Sequence, residues 1–320
     1  MPTPRHVGRY WRTLAGLVIS AFFLWLTAQS VDMGALRAAL GDVAWPAIFV
    51  AGAIAVAEVT VRGWRWRRLL APIVDVPTVT TTAYLCIGHL ANAILPARLG
   101  DLVRMHLAAR RFGVARLPTL GTLVIERISD AGFLAVVVAT SVLLGNRDLV
   151  PLLVRIGVVG VAVLTILGAL MWMIRGSAVA RWRRRVRDLA LALMEVAPAL
   201  VKPRNMAALA GATAASFVLA TAHFMVLAQG AGLAVSPFQA ALLVGAVTLS
   251  TAIPAGPASI GTFEFIGVAL LTSMGFSAEP SLLVVVVFHA IAVLVPAGLG
   301  LVAGWWMHAM PDRRLVDELR

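Results

Sequence analysis

Long apolar stretches, separated by short clusters of arginine, set the pattern of this chain. Leu14–Val31 and Ile156–Ile174 contain no charged side chain. Met206–Phe263 has no ionisable group beyond His223, and Ser281–Met307 holds only His289. Apolar runs of about 18 or more residues read as membrane-spanning helices. The pattern predicts spans at Leu14–Thr27, Val43–Val61, Thr119–Gly145, Pro151–Ile174, Met206–Gly230 and Ser281–Met307. Two further apolar regions, Val79–Phe112 and Phe238–Gly275, are interrupted by proline and glycine. The period-two alternation of a membrane barrel is missing. The expected fold class is an all-α polytopic membrane protein.

Composition sharpens this. The chain is 60% hydrophobic and 13% charged, against about 25% charged in a soluble domain, which leaves almost nothing for a soluble domain. The net charge of +12 is almost wholly arginine, Lys202 being the single lysine. These arginines lie between apolar runs, so they set orientation and meet anionic lipid; nucleic acid is not an expected partner. The single cysteine, Cys86, excludes an internal disulfide and a cysteine metal cluster. No histidine pair has metal-ligand spacing, and there is no P-loop and no G-x-S-x-G elbow, so no metal or cofactor is expected.

Arginine placement constrains topology. Arg62, Arg65, Arg67 and Arg68 follow the second span, Arg110, Arg111 and Arg116 precede the next full one, and six arginines lie between Arg175 and Arg187. If Val79–Pro96 crossed once, Arg98–Arg116 would lie opposite Arg62–Arg68, against the positive-inside rule. The conflict disappears if Val79–Phe112 and Phe238–Gly275 each enter and leave by one side. The expectation is about six crossings plus two re-entrant helical hairpins, with both termini cytoplasmic in the inner (plasma) membrane. Arg5, Arg9 and Arg12 before Leu14 also suit a signal peptide, but the repeat below needs that segment as a span.

Each hairpin tip carries the same five-residue pattern: Pro96-Ala97-Arg98-Leu99-Gly100 and Pro257-Ala258-Ser259-Ile260-Gly261. The order span, span, hairpin, span occurs twice. The first half, 1–150, starts inside, and the second, 151–320, starts outside. One membrane domain, 1–320, thus reads as an inverted repeat, the plan that places a transporter's site between broken helices near the midplane. A linker, 176–204, contains Arg181–Val196, whose Trp182, Val186, Leu189 and Leu193 recur at helical spacing. It reads as an amphipathic helix on the cytoplasmic surface, with Arg181–Arg187 meeting anionic lipid.

Ionisable side chains inside a bilayer default to functional or paired roles. Asp101 and Arg104 share a helix face after the first tip, and Arg98 stands beside that helix start. Helix amino termini and forked arginines suit phosphate oxygens; the alternative is that Arg104 only neutralises Asp101 and Arg98 is an interface anchor. His89 and Asn92, one turn before the tip, suit headgroup oxygens. Glu126 and Asp130 lie one turn apart, with Arg127 about 100° round from Glu126. Arg98 and Arg104 are their expected partners, in a charge relay, a proton site or a static network. Glu264 falls in the first turn after the second tip, as a dipole-favoured cap, a proton-coupling acid or a partner for an amine headgroup. Glu58 reads as paired with an arginine, and His223 and His289 as hydrogen-bonded packing residues.

"NAILPARLGDLVRMHLAARRFG", "TLVIERISDAG" and "IPAGPASIGTFE" resemble the transmembrane region of lysylphosphatidylglycerol synthases, a flippase-like family. The resemblance covers nearly the whole chain. It maps the family's first motif to Asn92, Leu95, Pro96, Arg98, Gly100, Asp101 and Arg104, and its second to Glu126, Arg127 and Asp130. At the second tip Ala258, Ser259 and Phe263 stand where the family often has two glycines and a basic residue, which weakens phosphate binding there. Bifunctional members add a soluble aminoacyl-transfer domain; this chain ends soon after its last span, so translocation is implied rather than aminoacylation. Stand-alone members resemble proteins of hopanoid or other polyprenoid lipid pathways, which implies another lipid.

The resulting expectation is a lipid transporter moving a polar or phosphate-bearing headgroup between leaflets by alternating access, with a membrane lipid as substrate. The alternatives are a membrane-embedded transferase acting on a polyprenyl phosphate or phospholipid, with His89 and Asp101 as its reactive pair, and a non-catalytic scaffold for lipid-synthesis enzymes.

Overall fold

Helix length divides the elements into those that can cross a bilayer and those that cannot. The computed structural model describes residues 4–29, 34, 44–95, 99–143, 187–188, 191, 202–251 and 256–309. Among them are nine α-helices: α1 (Pro4–Gln29), α2 (Trp45–Leu70), α3 (Thr78–Ile94), α4 (Gly100–Phe112), α5 (Arg116–Leu143), α6 (Pro203–Gly230), α7 (Pro237–Ser250), α8 (Thr262–Ser273) and α9 (Ala278–Ala309). A 3-10 turn, Pro257–Ser259, precedes α8, and the described residues include no strand. Several expectations lie outside the described residues: the span Pro151–Ile174, the tip residues Pro96, Ala97 and Arg98, and most of Arg181–Val196.

Three of the described helices are long and apolar enough to cross a membrane: Trp45–Leu70, Pro203–Gly230 and Ala278–Met307. The chain is a multi-pass helical membrane protein. By contrast, α3, α4, α7 and α8 have 17, 13, 14 and 12 residues. At 1.5 Å per residue they reach about 18–26 Å, short of a hydrocarbon core of about 30 Å. Each pair, α3–α4 and α7–α8, is a broken helical hairpin whose break falls on the repeated Pro-Ala-x-x-Gly pattern.

Small residues explain the central contact. Ala51 and Ala55 on α2 and Ala212, Ser216 and Ala220 on α6 are buried, and α2 packs along α6. In lipid, small side chains let helix backbones approach and gain dispersion contacts. The two helices run antiparallel: Gly230, ending α6, abuts Ala47 near the start of α2, while Arg65 near the end of α2 meets Thr213 near the start of α6. Gly300 of α9 lies against the backbone of Cys86, which seats α9 on α3. Helix α1 packs on α8, with Phe23 and Phe265 5.1 Å apart. Apolar side chains such as Phe49, Leu294 and Trp305 face outward, as a lipid-facing surface requires.

Two apolar cores result. The larger joins α2, α6, α7, α8 and α9 around Phe224, Leu243, Leu271 and Val285; the smaller joins α2, α3, α4 and α5 around Trp66, Tyr84, Ala108 and Leu123. Helix α2 exceeds its expected end at Val61 and continues through Arg62, Arg65, Arg67 and Arg68. Arginine is a good helix former, and Arg65 finds partners inside the protein.

Candidate functional site

Helices of both hairpins line one cavity of about 140 Å³. The charged part of its wall comprises His89, Asn92, Asp101, Arg104, Glu126 and Arg127, together with Glu58 and Arg62 of α2. The second tip and α9 add Ser259, Phe263, Phe288 and His289. Apolar side chains, Ala55, Val59, Leu85 and Val244 among them, complete the lining.

At the first tip the chain folds back because Gly100 has no side chain: a Cβ there would collide with the Gly88 carbonyl and with Asn92. The N–H of Gly100, at the α4 start, donates to Asn92 Oδ1 at 2.7 Å, satisfying one orphan donor of the helix end. His89 bonds the Leu85 carbonyl through Nδ1 at 2.9 Å. Since a carbonyl only accepts, Nδ1 carries the proton and Nε2 is the nitrogen left over.

Behind this wall lies a closed ring of alternating charge. Arg65 reaches Glu126 at 3.0 Å and Asp130 at 2.6 Å. Glu126 accepts from Arg104 at 3.1 Å, and Arg104 lies 3.5 Å from Asp101. Asp101 accepts from Arg127 at 3.3 Å, and Arg127 closes the ring on Asp130 at 3.8 Å. The ring's three arginines and three carboxylates balance. It joins α2, α4 and α5, and Arg65 extends it to Thr213 on α6 at 3.1 Å. Arg104 also stacks over Trp66, 4.6 Å from the ring centre, a cation–π contact.

The ring is buried at one end and exposed toward the cavity at the other. The Arg65, Arg104 and Glu126 side chains are 1%, 3% and 5% exposed, whereas Asp101 and Arg127 reach 28% and 44%. Attraction between charges is strong where water is excluded and weak where it enters. The Asp101–Arg127 link is therefore the easiest to open, and it faces the cavity. Glu58 and Arg62, 2.6 Å apart, form a separate pair on the same wall.

The second tip is built differently. Gly261, at φ 95°, starts α8, and its N–H donates to Glu264 Oε2 at 2.6 Å. Glu264 Oε1 lies 2.5 Å from His289 Nδ1, and His289 Nε2 lies 3.0 Å from the Ala258 carbonyl. Phe263 stacks flat on the His289 ring at 3.9 Å. Gly256 N–H donates to Ser20 Oγ of α1 at 2.9 Å.

His89, Asn92, Asp101, Arg104, Glu126 and Arg127, each named from sequence, thus line one cavity, with Asp130 behind them. Glu264 belongs to the second tip, and Arg98 lies outside the described residues. Two expectations change. Arg65, read as a linker charge, is the central partner of Glu126 and Asp130, a role expected of Arg98 alongside Arg104. His289, read as a packing residue, is the partner of Glu264. Glu58, Arg62 and Arg65 recur at spacings of four and three on one face of α2, a signal that a span ending at Val61 hides. His223 is buried against Phe288, which fits packing, but its buried Nε2 has no hydrogen-bond partner among the described residues, so the expected hydrogen bond is not found at that atom. No cluster of three or more His, Cys, Asp or Glu among the described residues is placed to hold a metal.

The chain is thus a helical membrane protein with a cavity lined by charged and apolar side chains between two broken hairpins. The chain belongs to the family of the lysylphosphatidylglycerol synthase transmembrane region, whose pattern matches residues 13–300. It is also similar to a protein of Haloferax volcanii named Glycosyltransferase AglD, 29% identical over 153 residues, 46% of this chain and 24% of that protein. The matched stretch thus spans about a quarter of that relative's length. No solved structure matches the chain.

Proposed function

We propose that this protein is a lipid transporter of the plasma membrane, moving a polar-headgroup lipid between leaflets. The observation that carries the reading is the cavity itself: it is lined by charged and apolar side chains together and by helices of both broken hairpins. A headgroup meets the charged wall while the acyl chains remain among apolar side chains and lipid. Hairpins too short to span support re-entry, and the antiparallel α2–α6 pair supports an inverted repeat of halves 1–150 and 151–320; the arginine distribution is what favours both termini cytoplasmic. Rocking of such halves about a fixed site exposes it to each leaflet in turn.

Arg127 is the headgroup-binding cation in this reading, because it is the exposed arginine of the ring. A phosphate takes Arg127 from Asp101 and leaves the buried Arg65–Glu126–Arg104 core in place. Asn92 and His89, whose Nε2 can accept from a headgroup hydroxyl, supply further polar contacts, and Arg98 is the additional cation this reading expects. The test is transport by purified protein in vesicles of phosphatidylglycerol and phosphatidylethanolamine. The probe is phosphatidylglycerol with an NBD group on one acyl chain, its leaflet read by dithionite quenching. The wild type moves the probe and Arg127→Ala does not; equal rates in both, or no movement above protein-free vesicles, contradict the reading.

A second reading, transfer of a group to a polyprenyl phosphate, is favoured by the name of the Haloferax relative. Turnover of polyprenyl phosphate and a nucleotide sugar by the purified protein supports it in place of transport.

A further inference from the structure

His289 faces hydrogen-bond acceptors with both ring nitrogens. Nδ1 lies 2.5 Å from Glu264 Oε1, and Nε2 lies 3.0 Å from the Ala258 carbonyl. A carbonyl never donates, so Nε2 must carry a proton. A second proton must then lie between Nδ1 and Oε1, because otherwise two lone pairs would face each other at hydrogen-bond distance in a buried site. Glu264 Oε2 is already occupied by the Gly261 N–H. The pair as folded therefore holds one proton more than a carboxylate beside a neutral imidazole.

The same proton holds the tip. Ala258 and Ser259 have φ of 55° and 61°, a left-handed conformation unfavourable for residues with a side chain. The His289 Nε2–H bond to Ala258 fixes this strained turn to α9. When the proton leaves, the single remaining N–H cannot serve both Glu264 and Ala258, and one contact is lost. The turn that carries Ser259 to the cavity wall is then free to relax.

We propose that Glu264 and His289 form the proton-binding site that drives transport. A proton from cavity water binds between Oε1 and Nδ1 and locks the second tip. Its release to water on the other side frees the tip and resets the cavity. His289 lines the cavity, which gives the proton its route. The other ionisable groups that line the cavity are His89 on α3, Glu58 and Arg62 on α2, Asp101 and Arg104 on α4, and Glu126 and Arg127 on α5. His223 on α6 touches the neighbouring Phe288. The arginines that line the cavity each have a carboxylate partner, so the described lining imposes no net charge on the pair. The site itself stands on the hydrogen-bond geometry; its role as the driver rests on the transport reading.

The first test needs no substitution at the pair. A bimane fluorophore is attached through Ile260→Cys in a Cys86→Ser background, Ile260 being 46% exposed beside the tip. Its emission is followed from about pH 5 to pH 9, the range in which histidine-linked sites titrate. The wild type gives a single-proton transition. Glu264→Gln, whose amide still donates to Nδ1, stays at the acid-state emission, and His289→Phe stays at the alkaline one. A flat wild type, or a Glu264→Gln protein that titrates like the wild type, overturns the site.

The second test imposes one pH unit across vesicles holding the NBD-phosphatidylglycerol probe. One proton per lipid shifts the leaflet ratio by up to about tenfold, since one unit is a tenfold proton ratio. Probe movement that ignores the gradient overturns the drive while transport stands. A tip that titrates while no lipid moves refutes the transport reading and leaves the proton site standing.

Discussion

The two hairpin tips share a sequence pattern and differ in chemistry. Each breaks a helix at the glycine of Pro-Ala-x-x-Gly, and each must satisfy the N–H of that glycine where water is scarce. The first uses Asn92, reaching back from the preceding arm; the second uses Glu264, from its own first turn. The first tip is held by a ring of six charges across three helices, the second by one carboxylate, one imidazole and the Ser20 hydroxyl. The same sequence pattern thus accompanies a break at both tips, in different surroundings. A multivalent ring makes a rigid wall, whereas a two-residue contact on a strained turn makes a movable one.

That contrast breaks first at Arg65. Arg65→Met leaves Glu126 and Asp130 facing each other in a dry site, and losing one member of a buried ion pair costs about 3–5 kcal/mol. The melting temperature of the detergent-purified protein should fall far more than in His289→Phe. An equal fall in both would remove the distinction between rigid and movable walls. Next come the breaking glycines. Gly100→Ala drives a Cβ into the Gly88 carbonyl, and Gly261→Ala combines φ 95° with a collision at the Ser20 carbonyl. Overpacking and left-handed strain each cost about 1–3 kcal/mol, so both variants should melt lower than Gly298→Ala, where a Cβ meets open space.

Asn92→Ala removes one helix cap, worth about 1 kcal/mol, while Glu264→Gln keeps an oxygen able to accept from Gly261. The first should lower the melting temperature more than the second; the reverse order would show that Asn92 does not hold the tip. The smallest stability effect belongs to Arg127→Ala, because exposed pairs contribute roughly 0–1 kcal/mol. Its melting temperature should stay close to wild type while probe transport is lost. A large fall in stability would make Arg127 structural and move the headgroup contact elsewhere.

Much of this architecture is legible in the sequence, for physical reasons. Proline and glycine in an apolar segment mark a break because few other residues tolerate one. The face shared by Asp101 and Arg104 follows from helical spacing, as does that of Glu126 and Asp130. What stays hidden is any partner chosen by tertiary approach. Arg65 lies in an arginine cluster that charge counting assigns to a linker, although its spacing from Glu58 and Arg62 puts it on the same inward face. His289 stands 25 residues after Glu264 on another helix, and no local pattern links them. Closure of the charge ring needs α2, α4 and α5 to converge, which no single stretch encodes.

Side-specific labelling of the two tips tests the central claim most directly. In a Cys86→Ser background, Leu99→Cys and Ile260→Cys place thiols at exposed tip positions. A membrane-impermeant maleimide is then applied from one side of oriented vesicles and from the other. The account predicts that position 99 is reached from one compartment and position 260 from the opposite one. Labelling of both from the same compartment alone would contradict it.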